Sequence, residues 1–166
     1  MARDILSRLA LAVLLCLAQV MVLNHIHLGG YAVPFLCVYM ALIFPETHPK
    51  WLSLLWCFAL GLVVDVFSNT PGVTSASLTL VAALQPYILS LFISKEETVD
   101  MPPSMASLGA FKYCVYSFIL ILLFCLAFFS LETFSFFNWL HWLISVGSSA
   151  LLTLLLTITI ESARKK

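Results

Sequence analysis

Six runs of consecutive apolar residues, separated by short polar turns, constrain this sequence more than any other feature. Only 10% of its 166 residues are charged and 62% are hydrophobic, whereas a soluble domain has about 25% charged residues. The apolar residues are consecutive rather than alternating, which favours helices over the strands of a transmembrane barrel. The sequence therefore predicts an all-α integral membrane protein.

The runs predict a single domain over residues 1–166, formed by six transmembrane helices in a compact bundle. The first run is interpreted as a span and not as a signal peptide, because the apolar sequence resumes soon after it. The second run is short for a span, which needs about 20 residues. The bulky aromatic composition of the fifth run predicts a helix that faces lipid. The expected spans are about 5–23, 31–44, 51–67, 73–93, 110–130 and 139–160.

The basic residues fall only in the head, the second loop, the fourth loop with its flank, and the tail. Lys and Arg concentrate in the cytoplasmic loops of membrane proteins. Six spans also return the chain to its starting side, so the sequence predicts that both termini are cytoplasmic. The eight residues are Arg3, Arg8, Lys50, Lys95, Lys112, Arg164, Lys165 and Lys166.

One acid, Asp65, lies inside the third apolar run. Gly61, Asp65 and Ser68 are spaced i, i+4 and i+7, which places them on one face of a helix. A carboxylate at this depth needs a partner, a watery recess or the interface. Two interpretations stay open: a helix-end acid that caps the following turn, and a packing or partner-binding residue. The turn itself contains Asn69, Pro71 and Gly72.

The fourth and sixth runs are rich in small and hydroxylated residues. Such residues let helices approach closely in lipid, so they predict helix packing or a face for a partner. Gln85-Pro86 predicts a kink, with Gln85 directed toward protein. The hydroxylated row of the sixth run recurs at i+4 from His141 to Thr157. The candidate packing residues are Thr74, Ser75, Ser77, Ala82, Gln85, Pro86, Ser145, Ser149 and Thr153.

Motifs for catalysis, cofactors and nucleotides are missing from the sequence. The five cysteines lie in apolar runs without a CxxC pair, which is typical of small buried hydrophobes. His25 and His27 flank one residue, and two imidazoles alone are a weak metal signal. We therefore expect no catalytic residues, no cofactor, no metal site and no nucleic-acid partner.

The stretch from Gly61 to Gly72 resembles the rod shape-determining MreD family, in which it usually reads G-x-x-x-D-x-x-S-G-x-x-x-G before a helix of small residues. Gly61, Asp65, Ser68 and Gly72 match this pattern. Asn69 stands where a glycine is common, and the turn is one residue shorter before Gly72. By motif the resemblance covers residues 60–80, and by length and span layout it covers the whole chain.

The resemblance implies a non-enzymatic scaffold of the cell-wall elongation (rod) complex in the bacterial cytoplasmic membrane. Its expected partner is MreC, bound through the transmembrane helix and adjoining outer segment. The MreB filament, the RodA glycosyltransferase and its transpeptidase partner would be indirect partners in maintaining cell shape. The implied bundle is similar to the substrate-binding components of vitamin uptake transporters.

That similarity supplies the alternative function, a small-molecule (vitamin) binding membrane subunit of a transporter. A proton-coupled carrier that uses Asp65 is a third class. The residues leave open whether the chain pairs with a second copy of itself, and whether membrane lipids or another molecule occupy its core.

Overall fold

The computed structural model describes residues 2–21, 33–44, 49–93, 103–104, 108–133 and 139–164. All regular structure within these ranges is helical, in agreement with the predicted all-α class. The helices are α1 (Ala2–Met21), α2 (Val38–Leu42), α3 (Lys50–Ser68), α4 (Val73–Ser90), α5 (Ala110–Thr133) and α6 (Trp139–Arg164).

Four of these helices, α3 to α6, are long and apolar enough to cross a membrane by length and composition. Apolar side chains also cover their outward surfaces, for example Val66 on α3 and Leu155 on α6, which are 77% and 65% exposed. A chain with such surfaces suits a hydrocarbon solvent and not water. The fold therefore marks a membrane protein, with four such helices where the sequence predicted six spans.

Of the first two predicted spans, the first is one continuous helix and the second is not. The α1 helix has 20 residues, of which Ala10–Met21 form an apolar stretch, whereas α2 has only five residues. Residues 31–32 and 22–23, which the predicted spans included, lie outside the described residues. Residues 33–37, by contrast, are described and are not helical. The second run is therefore a mixed segment over residues 33–44 and not one continuous helix.

The α5 helix lies in the core, so the prediction that it faces lipid is wrong for one of its faces. Tyr116 and Phe124 are fully buried there. The ring of Phe35, from the second run, packs against Phe124 and Phe128 with centroid distances of 5.2 and 4.6 Å. The opposite face of α5 is exposed, with Phe111 at 81%. Aromatic volume on α5 thus fills the space around the mixed segment.

Candidate functional site

Gly61 in α3 lies directly against the backbone of Ser75 in α4. A Cβ atom on residue 61 would overlap the Cα of Ser75 and would stand 2.9 Å from its backbone nitrogen. Backbone atoms cannot swing aside as a side-chain end can, so any larger residue would force the helices apart. Glycine is used in this way where helix backbones approach closely in lipid. The pair therefore sets the spacing of the α3–α4 hairpin.

The carboxylate of Asp65 caps the start of α4, although it belongs to the preceding helix. Its Oδ1 accepts hydrogen bonds from the backbone N–H of Thr74 at 2.8 Å and from the hydroxyl of Thr70 at 3.1 Å. Its Oδ2 accepts one from the N–H of Ser75 at 2.9 Å. The first N–H groups of a helix have no partner within it, and the helix dipole favours an anion there. These bonds explain how Asp65 can be buried, at 3% exposure.

Hydrogen bonds to Asp65 from the turn and from the following helix are those required by the capping interpretation. They also bear on the carrier interpretation. A carboxylate has about four lone-pair sites, and three of them accept hydrogen bonds here. A carried proton or cation would therefore have to share the group with the cap of α4.

The turn between the helices depends on two residues with positive φ. Asn69 ends α3 in the left-handed conformation, with φ 56° and ψ 33°, and its N–H donates to the carbonyl oxygen of Asp65. Gly72 follows with φ 83°. Asn is among the few residues other than glycine that adopt this conformation readily. Asn69 thus provides the left-handed conformation in which α3 ends, a conformation for which glycine is the usual residue.

A second arrangement holds the non-helical start of the mixed segment. The N–H groups of Val33 and Phe35 donate to the hydroxyl oxygens of Ser149 and Thr153 in α6, at 3.1 and 3.0 Å. On the other side, Gln19 in α1 uses both ends of its amide: Oε1 accepts from the N–H of Leu36 at 2.8 Å, and Nε2 donates to the carbonyl of Pro34 at 3.0 Å. We call Gln19, Ser149 and Thr153 the clamp.

The clamp supplies hydrogen-bond partners to the main chain of residues 33–36, which are not helical. Residues 33–36 contain three N–H groups, because Pro34 has none, and each of the three donates to a clamp oxygen. Irregular backbone at membrane depth is tolerated only when protein or a watery cavity surrounds it. Gln19 and Ser149 are 0% exposed, so protein supplies the bonds here.

The order of the clamp contacts shows how the segment runs. Ser149 and Thr153 are one helical turn apart, about 6 Å along the α6 axis. Val33 and Phe35, which bond to them, are only two residues apart. The segment therefore advances about 3 Å per residue there, as extended backbone does, and it runs in the same direction as α6.

The far end of the mixed segment is held by Gln85 in α4. Its Nε2 donates to the carbonyl of Phe44 at 2.9 Å and to the hydroxyl of Tyr116 at 3.0 Å. The Tyr116 hydroxyl in turn donates to the carbonyl of Leu42 at 3.4 Å. Gln85 thus points into protein, as predicted, and it donates a hydrogen bond to the carbonyl of Phe44 just after the end of α2.

Sequence reasoning missed a second buried acid, Glu161 in the last turns of α6. It is 4% exposed, and its Oε2 accepts a 2.8 Å hydrogen bond from the hydroxyl of Tyr39 in α2. The signal was present in the sequence. The i+4 row that starts at His141 reaches Glu161 one step after Thr157. Gln19 had a similar signal, because it is the one polar residue that interrupts the first apolar run.

The residues proposed as a packing or partner face all lie inside the chain or at its internal contacts. Pro86 is half-buried, and each of the others is at most 6% exposed. These side chains therefore pack within the chain. The buried residues are Thr74, Ser75, Ser77, Ala82, Gln85, Ser145, Ser149 and Thr153.

An all-helical membrane protein with a capped helix hairpin and a clamped interior segment is the class that the fold and the site define. No family model, curated protein or solved structure matches this chain.

Proposed function

We propose that this chain is a non-enzymatic scaffold of the rod complex in the bacterial cytoplasmic membrane, and that it holds MreC. The observation that carries the proposal is the unit formed by Gly61, Asp65 and the turn ending at Gly72. These positions match the MreD pattern, and here they serve one close-packed, capped corner. A motif whose members act together in one structural unit supports the resemblance more strongly than composition does.

We place the chain across the membrane six times, with both termini cytoplasmic. The mixed segment supports this topology, because it runs beside α6 from the level of Ser149 to that of Glu161. Twelve helical residues cover about 18 Å, a large part of the roughly 30 Å hydrocarbon core. Extended backbone thus lets a short apolar run serve as the second crossing, parallel to the sixth.

The interior supports a scaffold over a vitamin-binding subunit. A ligand site needs a few convergent polar groups that are available to the ligand. The clamp residues and Gln85 instead hydrogen-bond to the main chain of the same protein. The aromatic rings of Phe35, Phe124 and Phe128 pack against one another in the same interior.

Because the hydroxylated rows are buried, the MreC helix must meet another surface, and Gly147 marks one. Among the described residues, a Cβ on Gly147 would have no atom within 4 Å, so the glycine serves no close packing within that part of the chain. Within a helix it costs about 1 kcal/mol relative to alanine. It lies among the exposed side chains of Leu143, Ile144 and Leu151. A glycine on an apolar outer face permits close approach of a partner helix.

Co-purification in mild detergent tests the proposal. MreC should be retained by the wild-type chain and released by Gly147→Trp, because the indole would fill the space that the partner backbone needs. Ala83→Trp is the matched control, since Ala83 is also exposed but lies on α4. Both variants should unfold at the wild-type temperature.

Two results would contradict the proposal in different ways. Retention of MreC by Gly147→Trp would place the partner on another face. A vitamin-sized molecule bound stoichiometrically to the wild-type chain, with MreC lost in every detergent, would replace the scaffold by the transporter subunit.

A further inference from the structure

Three exposed amphipathic side chains lie at one end of the α3–α4 hairpin, and two of them are in contact. The ammonium group of Lys50 lies 4.8 Å from the centroid of the Tyr87 ring. Trp51, the next residue of α3, is 67% exposed, and Tyr87 is 63% exposed. We call Lys50, Trp51 and Tyr87 the interfacial cluster.

The cluster lies at the level where a membrane-spanning helix leaves the hydrocarbon. Lys50 is the first residue of one candidate span, and Tyr87 lies in the last turn of the next, which ends at Ser90. Trp and Tyr prefer the boundary between hydrocarbon and headgroups, and a lysine there extends its ammonium group toward the headgroups. All three residue types therefore suit the same layer.

The position of the Lys50 ammonium group over the Tyr87 ring adds a specific contact to this general preference for the interface. An ammonium group has three N–H donors, and a contact with the ring face orients it by cation–π attraction. The ammonium group keeps further donors for a ligand beside the Tyr87 ring, and Trp51 lies at the same end of the hairpin. This arrangement offers charge to a phosphate and apolar surface to the glycerol and upper acyl chain of the same lipid.

We propose that the interfacial cluster binds the headgroup of one anionic phospholipid. The proposal rests on the membrane insertion proposed above and is independent of MreC. By the distribution of basic residues, this lipid belongs to the cytoplasmic leaflet. Such a lipid would fix the depth of the α3–α4 hairpin, and so the depth of the Asp65 corner at its other end.

A lipid titration of the full chain in detergent, followed by native mass spectrometry, tests this site. Phosphatidylglycerol should bind in preference to phosphatidylcholine. Lys50→Gln should weaken phosphatidylglycerol binding roughly fivefold, the change that corresponds to about 1 kcal/mol per basic residue near anionic lipid. Tyr87→Leu should also weaken it, because it removes the oriented contact, and Lys50→Arg should preserve it.

Lys112→Gln is the matched control, since Lys112 is an exposed lysine at the start of α5, outside the cluster. It should leave the preference unchanged. An equal loss from Lys112→Gln and Lys50→Gln would overturn the site in favour of diffuse charge. Equal binding of the two lipids by the wild-type chain would overturn it as well, and so would displacement of the lipid by excess inorganic phosphate, which would indicate a simple anion site. Retention of MreC in the same preparation reports on the scaffold separately.

Discussion

Gly61 and Ser75 bring the backbones of α3 and α4 into direct contact, and the carboxylate of Asp65 closes the same junction one turn later. The contact fixes the distance between the helices. At this distance the carboxylate of Asp65 can accept hydrogen bonds from the N–H groups at the start of α4. Each feature depends on the other, so changes at either residue should act on the whole hairpin.

Gly61→Ala should destabilise the protein by roughly 1–3 kcal/mol, the usual cost of forcing a methyl group into a packed core. The added Cβ meets backbone atoms of Ser75, which cannot rotate away. Thermal unfolding in detergent measures the effect. Gly147→Ala is the control, because its Cβ meets none of the described residues within 4 Å and alanine favours the helix. Equal stability of the two variants would contradict the close contact.

Asp65→Leu should destabilise the protein more than Asp65→Asn does. Leucine leaves the N–H groups of Thr74 and Ser75 buried without an acceptor, at about 1–3 kcal/mol for each such group. Asparagine keeps one oxygen and therefore part of the cap. The free energy of unfolding and the yield in detergent distinguish the two variants. Loss of function in Asp65→Asn, with fold and MreC binding intact, would instead favour the carrier interpretation.

Thr153→Val should weaken the clamp, because the variant keeps the shape of the side chain but removes the acceptor for the Phe35 N–H. We expect a loss of about 1–3 kcal/mol and faster hydrogen exchange at Phe35. Thr159→Val is a closely matched control. Thr159 makes the same bond to the carbonyl four residues earlier but is exposed. Similar losses in both variants would show that the helix bond, and not the clamp, matters.

Tyr39→Phe should destabilise the protein by about 1–3 kcal/mol, because it removes the hydroxyl that donates to the buried Glu161. Tyr39→Phe, Glu161→Leu and the double variant form a cycle that isolates the pair, because leucine has no acceptor for the hydroxyl. Contacting residues typically show coupling energies of 0.5–3 kcal/mol in such cycles. Additive losses in the double variant would contradict a direct contact between the two side chains.

The α3–α4 corner could be predicted because its parts are local in sequence. The i, i+4, i+7 spacing placed Gly61 and Asp65 on one face, and the turn residues follow directly. The bonds from the clamp residues Ser149 and Thr153, by contrast, join residues more than a hundred positions apart. An extended stretch inside an apolar run also has no period that distinguishes it from a helix. The sequence therefore could not show that this extended stretch exists.

Composition also could not show which face of a helix is buried and which is exposed. The aromatic residues of α5 indicate large apolar volume, which suits both lipid and a protein core. Their packing against Phe35 depends on where the mixed segment runs. The hydroxylated row of α6 likewise predicted a close contact, but it did not show what would lie against the row. In the structure, Ser149 and Thr153 of this row accept hydrogen bonds from the main chain of the second run.

Labelling with an impermeant thiol reagent tests the six-crossing topology. A cysteine at Pro71 or Glu132, in a chain without native cysteines, should react in intact cells, because both residues are exposed and lie in or beside the third and fifth loops. Asn69 is a poorer position, since its left-handed φ of 56° disfavours cysteine. A cysteine at Glu96, outside the described residues, should react only after the membrane is opened, because the fourth loop carries basic residues and should be cytoplasmic. Labelling of position 96 in intact cells would contradict both the six crossings and the cytoplasmic termini, and would also move the interfacial cluster to the outer leaflet.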